Sequence, residues 1–326
     1  MPEPIRAVIL AAGKSTRMMS AVPKVVHRIL GKEIITYLLD SLLGVGVGAE
    51  DIIIVVGEND VLIRRRVNLP VQFVVQNPQL GTAHALLSAR QHLENFSGLL
   101  LVTPGDNPYI TAAELQRLIA SHRRLAPACT FLSAVFPIAP PPFGRVIRDR
   151  RGRVTGVIEE VDASPRQKRI REVNSAIYLF DNVLVYPRLA RITNRNAKQE
   201  YYLTDIIRVL RSDRLHVEAV AAADYRLAIG INNRWELQQA QQAFNQENLR
   251  RLALEQGITI LQPETVTIEH DVEIGQDSVI FPHCYIAAGS RIGRDCRIGP
   301  FAYLCRARIS DGETVAFEHR QYPAND

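Results

Sequence analysis

Small residues and cationic side chains follow the first apolar run of the chain, and this combination can bind a polyphosphate. The run Arg6-Ala7-Val8-Ile9 is followed at once by Leu10-Ala11-Ala12-Gly13-Lys14-Ser15-Thr16-Arg17-Met18, and Pro23-Lys24 comes shortly after. Small side chains let backbone N–H groups approach a ligand closely, and the cations neutralise phosphate oxygens that would otherwise repel one another. The pattern is neither the Rossmann nor the P-loop glycine motif, so an ordinary tight turn is the alternative.

Further motifs follow along the chain in a fixed order. They are Gln76 with Leu80-Gly81-Thr82, Gly105-Asp106, Phe143-Gly144-Arg145, Val157-Ile158-Glu159, Glu172-Val173-Asn174, Glu200-Tyr201-Tyr202-Leu203-Thr204-Asp205 and Gly230-Ile231-Asn232-Asn233-Arg234. Together with the first signature they resemble the sugar-1-phosphate nucleotidyltransferases. The set is most similar to the uridylyltransferase half of the bacterial bifunctional UDP-N-acetylglucosamine pyrophosphorylase/glucosamine-1-phosphate N-acetyltransferase family, over roughly the first 260 residues.

The resemblance implies that a sugar-1-phosphate oxygen attacks the α-phosphorus of a nucleoside triphosphate and that pyrophosphate leaves. The attacking phosphate is already ionised, so catalysis consists of in-line positioning and charge neutralisation without a general base. In this scheme Arg17 contacts the β- and γ-phosphates. Lys24 contacts the α-phosphate and the incoming phosphate. The alternative for both residues is a role as surface cations.

The same resemblance implies a Mg²⁺ site made of Asp106 and Asn232. Asp106 follows the predicted strand Leu99–Thr103 and so lies at a carboxyl end, where open α/β sheets bind ligands. One carboxylate and one amide oxygen suit Mg²⁺, which completes its octahedron with water and phosphate oxygens. As alternatives, Asp106 can form a turn and Asn232 can cap a helix.

Two further groups of residues are candidates for substrate binding by resemblance. The nucleotide-binding candidates are Leu10, Ala11, Ala12, Gly13, Gln76, Gly81 and Thr82, and the sugar-binding candidates are Gly144, Glu159, Asn174 and Thr204. The Gln76 amide carries a donor and an acceptor side by side, which can form a pair of hydrogen bonds with the imide edge of uracil. UTP and a hexosamine-1-phosphate, N-acetylglucosamine-1-phosphate, are therefore the expected substrates.

Three positions depart from the family pattern. Ser15 stands where the loop usually has glycine, Pro104 precedes Gly-Asp in place of Tyr or Ser, and Ala176 replaces the glycine of Asn-Thr-Gly. The extra methyl group at Ala176 leaves the sugar open between N-acetylglucosamine and a plain hexose. The alternatives are accordingly a uridylyl- or thymidylyltransferase for glucose-1-phosphate or another hexose-1-phosphate, and a non-catalytic subunit that binds a nucleotide sugar.

The elements that must position these residues are those of an α/β domain. Apolar runs alternate with amphipathic stretches, which predicts a Rossmann-like mixed sheet covered on both faces over residues 1–231. Predicted strands are Ala7–Leu10, Ile52–Val56, Val71–Val75, Leu99–Thr103, Thr130–Phe136 and Ala176–Phe180. Predicted helices are Ile34–Leu43, Thr82–His92, Ala112–Arg124 and Tyr202–Leu210, with a capping box from Thr111 to Glu114.

A different pattern begins after this domain. A polar helix from Asn233 to Gln256 is predicted as the linker over residues 232–262. Residues 263–326 are predicted to form a truncated β-helix and a tail. Apolar residues recur there with a period of six, at Ile268, Ile274, Ile280, Ile286, Ile292, Ile298 and Leu304, and small or β-branched residues stand four positions after each of the first six. This resembles the hexapeptide repeat of left-handed parallel β-helices, in which three hexapeptides make one triangular coil.

The repeat is expected to give two coils and a little more, because it loses phase after Leu304. The bifunctional family carries an acetyl-CoA-dependent acetyltransferase site on a longer β-helix, so we expect no acetyltransferase activity here. The short β-helix is expected to serve oligomerisation or packing, with a homotrimer as the first expectation and a monomer or dimer as the alternative. The tail Ala307–Asp326, with Phe317 and Tyr322 as apolar anchors, is expected to add contact area.

Composition limits the other classes of function. The chain has 326 residues, of which 47% are hydrophobic and 22% charged, and a net charge of +5. No apolar run reaches membrane-spanning length and no signal peptide is evident, so we expect a cytoplasmic protein without a membrane partner. No nucleic-acid recognition motif or aromatic platform for base stacking accompanies the clusters Arg64–Arg66 and Arg148–Arg151, so no nucleic-acid partner is expected. The four cysteines form no C-x-x-C pair and are expected to be free thiols.

Overall fold

The computed structural model describes residues 3–58 and 61–321, and the chain divides into two compact units. One unit contains the chain up to Val26 together with Ile34–Ile231, and the other contains His27–Glu33 and the chain from Asn232 onward. Sequence analysis assigned His27–Glu33 to the first domain. The segment groups with the second unit because the Leu30 N–H donates to Gln241 Oε1 (2.9 Å) and the Leu30 carbonyl accepts from the His270 N–H (3.2 Å).

The helices and strands up to residue 231 include all of those predicted, mostly with shifted bounds, and several further ones. In chain order they are β1 Ile5–Leu10, β2 Arg28–Ile29, β3 Lys32–Glu33, α1 Ile34–Gly44, β4 Ile52–Val56, α2 Val61–Arg66, β5 Gln72–Val75, α3 Thr82–Ser88, α4 Arg90–Leu93, β6 Leu99–Pro104, α5 Ala112–Leu125, β7 Cys129–Val135, β8 Arg145–Arg148, β9 Val154–Ile158, α6 Pro165–Lys168, β10 Glu172–Asp181, α7 Asn182–Val185, α8 Ile206–Ser212 and β11 Val217–Ala221. Of these, β2 and β3 form the small hairpin that belongs to the second unit.

The first unit is built on a mixed sheet with the order β11-β7-β10-β6-β1-β4-β5, and β8 and β9 extend it from β10. Strands β5, β4, β1 and β6 are parallel neighbours, whereas β10 runs antiparallel to both β6 and β7. Adjacent side chains of β1 enter opposite cores, since Val8 packs into one apolar cluster and Ile9 into the other. A sheet buried on both faces explains the unbroken apolar strands, and the predicted mixed α/β fold is confirmed.

Two predicted helices differ from those observed. The helix predicted over Thr82–His92 is interrupted at Ala89, which separates α3 from α4, and α8 begins only at Ile206, after a 3-10 turn at Leu203–Asp205. Only half of the predicted capping box forms. The Thr111 hydroxyl accepts from the Glu114 N–H at 3.3 Å, but the Glu114 carboxylate binds Arg117 at 2.8 Å and the Ala223 N–H at 3.0 Å. The carboxylate therefore fixes the start of the segment after β11 instead of closing the box.

The second unit begins with a long helix, α9, which spans Arg234–Gln256. Asn233 caps its N-terminus by accepting from the Glu236 N–H at 2.9 Å, and Gly257 ends it with φ +69°. These are the start and stop signals that the sequence contains.

A triangular parallel β-helix follows α9. Its strands are β12 Thr259–Ile260, β13 Thr267–Ile268, β14 Glu273–Ile274, β15 Val279–Ile280, β16 Tyr285–Ala287, β17 Arg291–Ile292, β18 Arg297–Ile298, β19 Tyr303–Cys305, β20 Arg308–Ile309, β21 Thr314–Val315 and β22 His319–Gln321. They form three ladders, β12-β15-β18-β21, β13-β16-β19-β22 and β14-β17-β20. Ile268, Ile286 and Leu304 stack in register as the six-residue period predicts.

The β-helix continues further than the sequence pattern indicates. The prediction of two coils and a little more was wrong, because β20, β21 and β22 stack on the coils before them. Ile309 follows Leu304 by five residues instead of six, so the shortened turn hides the period although Ile309 and Val315 still point into the core. The proposed anchor Phe317 is 74% exposed and stacks on Phe301, with ring centroids 5.8 Å apart, and Tyr322 lies outside the described residues.

Candidate active site

The loop after β1 presents backbone donors at the carboxyl edge of the sheet. The Ala11 N–H donates to the Val55 carbonyl at 2.8 Å, which holds the start of the loop against β4. Within the described residues, the N–H groups of Gly13 and Lys14 have no hydrogen-bond acceptor. Ser15 has φ +54°, and its hydroxyl accepts from the Lys24 N–H at 3.2 Å. The serine that departs from the family pattern therefore ties the loop to Lys24.

A cavity of about 520 Å³ opens beside this loop, and all of its lining residues belong to the first unit. The predicted site residues among them are Leu10, Ala11, Ala12, Gly13, Lys24, Gln76, Gly81, Thr82, Asp106, Glu159, Asn174 and Thr204. Residues far apart in sequence thus meet because β1, β5 and β6 end at the same edge of the sheet. Three predicted residues, Arg17, Gly144 and Asn232, do not line the cavity. Arg17 is exposed on a 3-10 turn, and Gly144 lies next to Glu159. Asn232 belongs to the second unit, where its N–H donates to Glu236 Oε2 at 2.7 Å.

Lys24 and Asp106 form an ion pair between Nζ and Oδ2 at the cavity wall. Both side chains are largely buried. The backbone around Asp106 fits closely, since the Ile231 N–H donates to the Asp106 carbonyl at 2.8 Å and a Cβ on Gly230 would lie only 2.8 Å from Asp106 Oδ1. A cation and a carboxylate are therefore held side by side next to the free loop amides.

The donor set around Asp106 is compatible with Mg²⁺ but not with a metal held by protein alone. Among residues 3–58 and 61–321, no group of three or more His, Cys, Asp or Glu side chains could hold a metal ion. Mg²⁺ commonly binds through one or two carboxylates together with water and substrate phosphates. Asp106, bordering a cavity with anion-binding amides, meets that requirement.

Gln76 directly follows β5, lines the same cavity and is only 3% exposed. Its Nε2 donates to the Gly81 carbonyl at 2.9 Å and lies 3.2 Å from His84 Nδ1. A carbonyl oxygen can only accept, so the orientation of the amide is fixed and His84 Nδ1 is the acceptor of the second hydrogen. The Gln76 Oε1 atom is left as a hydrogen-bond acceptor for a ligand.

Gly81 is required by the packing of two motifs against each other. It has φ +114°, and a Cβ there would lie 2.6 Å from the Tyr201 carbonyl oxygen. The Tyr201 N–H donates to the Leu80 carbonyl at 2.8 Å, and the Leu203 N–H donates to Thr82 Oγ1 at 2.9 Å. The Leu80-Gly81-Thr82 and Tyr201-Tyr202-Leu203 segments are thus one structural unit at the edge of the cavity.

Glu159 and Thr204 form a hydrogen-bonded pair at the other side of the cavity. The Thr204 hydroxyl donates to Glu159 Oε1 at 3.1 Å. Burial raises the pKa of the Glu159 carboxyl above its usual value, and the Thr204 hydrogen bond acts in the opposite direction. Gly144 makes room for this pair, because a Cβ at residue 144 would lie 2.9 Å from Val157 Cγ1 and 3.3 Å from Glu159 Oε1.

Asn174 carries an unsatisfied polar atom in the same region. It is 8% exposed, and its Nδ2 donates to the Tyr178 hydroxyl at 2.7 Å. Its Oδ1 is buried and finds no hydrogen-bond partner among the residues that the structure describes, which is costly unless a ligand supplies a donor. Ala176, in the β-bulge between them, has φ +62° and lines the cavity, so its methyl group takes the space that glycine would leave open.

Sequence analysis missed several residues that line the cavity, including Lys14, Gln79, Tyr178 and Glu200. Lys14 stands inside the first signature, and its position next to Gly13 was the available signal. Glu200 opens the motif that ends at Asp205, and that position was its signal, whereas Gln79 carries no local signal of its own. A second cavity of about 460 Å³ borders the same loop and shares Lys14, Gln76 and Gln79 with the first.

Comparison with known proteins agrees with this architecture. Residues 7–175 match the MobA-like NTP transferase domain family, and residues 266–306 match the bacterial transferase hexapeptide family (six repeats). The bifunctional protein GlmU of Geobacillus thermodenitrificans (strain NG80-2) is 36% identical over 313 residues, which are 96% of this chain and 67% of that protein. GlmU of Syntrophotalea carbinolica (strain DSM 2380 / NBRC 103641 / GraBd1) is 41% identical over 95% of this chain and 66% of that protein.

The chain belongs to the GlmU family. It spans about two thirds of the length of these GlmU relatives. Family membership and the NTP transferase match establish a sugar-1-phosphate nucleotidyltransferase, so the alternative of a non-catalytic subunit is not retained. Within the described residues, no helix has both the length and the apolar character needed to cross a bilayer.

Proposed function

We propose that this protein transfers a uridylyl group from UTP to N-acetylglucosamine-1-phosphate and releases pyrophosphate, with Mg²⁺ as cofactor. The observation that supports this most directly is a single cavity bordered by the loop amides, the Lys24–Asp106 pair, the Gln76 amide and the Asn174 oxygen. In this proposal each group binds a different part of the two substrates: the base, the phosphates with their Mg²⁺, or the sugar.

The base is proposed to bind at Gln76 and Gly81. Gln76 Oε1 can accept a hydrogen bond, and the Gly81 N–H has no acceptor within the described part of the chain. Uracil offers an N3–H donor beside a carbonyl acceptor, which complements this edge, whereas cytosine has an acceptor at N3. The geometry therefore favours UTP over CTP.

The phosphates are proposed to lie along the Gly13 and Lys14 amides towards Lys24. Lys24 would exchange its contact with Asp106 for phosphate oxygens, and its positive charge would stabilise the negative charge shared by attacking and leaving groups. Asp106 and, by resemblance, Asn232 would hold the Mg²⁺. When bound, the ion would supply positive charge that offsets the negative charge of the departing pyrophosphate. Arg17 is proposed to contact the outer phosphates, although it lies outside the cavity lining.

The sugar is proposed to bind between Glu159, Asn174 and Thr204. The unpartnered Asn174 Oδ1 can accept from a hydroxyl or amide N–H, and Glu159 can accept from a sugar hydroxyl. Glucose-1-phosphate is the second candidate, since the Ala176 methyl group narrows this end of the cavity.

A substrate matrix tests the proposal. Pyrophosphate release would be measured with UTP, CTP, dTTP, ATP and GTP, each against N-acetylglucosamine-1-phosphate, glucosamine-1-phosphate and glucose-1-phosphate. We expect the highest kcat/KM for UTP with N-acetylglucosamine-1-phosphate, loss of activity with EDTA and recovery with Mg²⁺. A preference for CTP, a preference for glucose-1-phosphate or activity that persists in EDTA would contradict the corresponding part of the proposal.

We further propose that this 326-residue polypeptide has no acetyltransferase activity and assembles as a homotrimer through its β-helix. The described β-helix extends over about three to four coils, and its exposed Phe301 and Phe317 rings offer apolar contact area. Stable interfaces bury roughly 1,200 Å² or more. Light scattering is expected to give three times the chain mass, and a monomer at micromolar concentration would contradict the trimer.

The proposed absence of acetyltransferase activity has a separate test. Release of CoA that requires both acetyl-CoA and glucosamine-1-phosphate would contradict it.

A further inference from the structure

Gln79 anchors the loop after β1, next to the residue that follows β4. Its Nε2 donates to the Ala12 carbonyl oxygen at 2.6 Å, across a separation of 67 residues. The side chain is half-buried and borders both cavities. The Ala11 N–H is bound to the Val55 carbonyl, and the Gln79 contact adds a second anchor at the Ala12–Gly13 peptide.

The contact with Ala12 determines where the next amide points. A peptide unit is planar and trans, so the Ala12 C=O and the Gly13 N–H point in opposite directions. With the carbonyl held by Gln79, the Gly13 N–H is directed away from Gln79. This N–H is one of the two loop donors without an acceptor in the described residues.

Gly57, which follows β4, provides the space that Gln79 occupies. A Cβ on Gly57 would lie 2.5 Å from Gln79 Nε2 and 3.6 Å from the Ala12 carbonyl oxygen. Its φ is not in the left-handed region, so the backbone accepts alanine. Glycine at residue 57 is thus required by the space that the Gln79–Ala12 hydrogen bond needs, and not by the local backbone conformation.

We propose that Gln79, in the space left by Gly57, is a positioning residue that fixes the Ala12–Gly13 peptide so that the Gly13 N–H donates to the triphosphate of the bound nucleotide. Gln79 itself acts through the loop and needs no contact with the substrate. The inference rests on the proposed function, because it assumes that the nucleotide phosphates lie at this loop.

Three variants of the full chain test the role of Gln79. Gln79→Leu removes the donor at similar size, Gly57→Ala displaces the end of Gln79, and the double variant combines the two changes. Gln72→Leu is the matched control, because Gln72 Nε2 also donates to a backbone carbonyl, that of Glu50 at 3.1 Å, but borders neither cavity. Kd for UTP from calorimetry and KM for both substrates would be measured for each protein, with thermal unfolding to verify the fold.

We expect Gln79→Leu and Gly57→Ala each to raise Kd and KM for UTP about three- to tenfold, as for loss of one positioned hydrogen bond. KM for the sugar phosphate should change less than twofold, and Gln72→Leu should resemble the wild type. In the Gln79→Leu background, Gly57→Ala should have no further effect, because the bond it disturbs is already gone. Unchanged UTP affinity in Gln79→Leu, equal effects on both substrates, or multiplicative effects in the double variant would overturn the inference.

Calorimetry separates this inference from the proposed function. A wild type that binds UTP but transfers no uridylyl group would contradict the proposed function alone. A wild type that is active while Gln79→Leu binds UTP normally would contradict the inference alone. A wild type that does not bind UTP would overturn both.

Discussion

Replacing Thr204 by valine should change the pH dependence of sugar-phosphate use. The Thr204 hydroxyl donates to Glu159 Oε1 at 3.1 Å, and this bond opposes the rise in the Glu159 pKa that burial causes. Valine keeps the size of the side chain but cannot donate, so the pKa of Glu159 should rise further. A protonated Glu159 has lost much of its capacity to accept from a sugar hydroxyl. The change should therefore increase KM for N-acetylglucosamine-1-phosphate most at low pH.

The size of the effect follows from the kind of bond removed. A hydrogen bond to a charged group contributes about 1.5–3 kcal/mol, and the partly open cavity argues for the lower end, which corresponds to about tenfold in kcat/KM. The assay measures kcat/KM for each substrate between about pH 5.5 and 8.5. Steps of about half a pH unit resolve a shift of one pKa unit, which corresponds to a tenfold change in the ratio of ionised to protonated carboxyl. Titration of the sugar phosphate itself affects all variants equally.

Thr204→Ser is the matched control because it retains the hydroxyl group. We expect the acid limb of the sugar-phosphate profile to move to higher pH in Thr204→Val and to stay in place in Thr204→Ser, while KM for UTP changes little in both. An acid limb at the same pH in wild type and Thr204→Val would refute the role assigned to Glu159.

Three further predictions concern the catalytic pair, the motif contact and stability. Lys24→Met and Asp106→Asn should each lower kcat at least about a hundredfold while the protein stays folded at the assay temperature, and pyrophosphate release near the wild-type rate would contradict their roles. Gly81→Ala should destabilise the protein by roughly 2 kcal/mol, because its Cβ would meet the Tyr201 backbone at 2.6 Å at a φ of +114°; an unchanged denaturant midpoint would show that the two segments can separate freely. Burial lowers the pKa of His122 to about 4, so its stabilising contribution is complete above about pH 6.5 and decreases as the pH falls towards 4. The loss should amount to roughly 2 kcal/mol after allowance for solvent screening, and His122→Gln should lack this pH-dependent part.

Much of the fold could be predicted because its signals are local. The unbroken apolar run of Ile52–Val56 indicates a buried parallel strand, and the six-residue period from Ile268 to Leu304 indicates a β-helix. The strands after Leu304 could not be predicted, since one missing residue before Ile309 hides the period although the side chain stays in the core. A short insertion or deletion at a corner leaves the ladder intact but changes the spacing on which sequence reasoning depends.

The candidate site shows the same limit. Motif positions such as Gln76, Asp106 and Glu159 could be predicted because resemblance assigns them one by one, and the structure brings them to one cavity. The function of Gly57 could not be predicted, because it depends on a contact with Gln79 that only the folded chain creates. The unpartnered Oδ1 of Asn174 is likewise visible only when every neighbour is known.

The most direct test of the central claim follows the oxygens of the sugar phosphate. N-acetylglucosamine-1-phosphate labelled with ¹⁸O in its phosphate oxygens would be incubated with UTP, Mg²⁺ and the protein, and the products would be identified by mass spectrometry. Attack of the sugar phosphate on the α-phosphorus predicts that all label remains in UDP-N-acetylglucosamine and that the pyrophosphate is unlabelled. Label in the pyrophosphate, or no nucleotide sugar at all, would contradict the account.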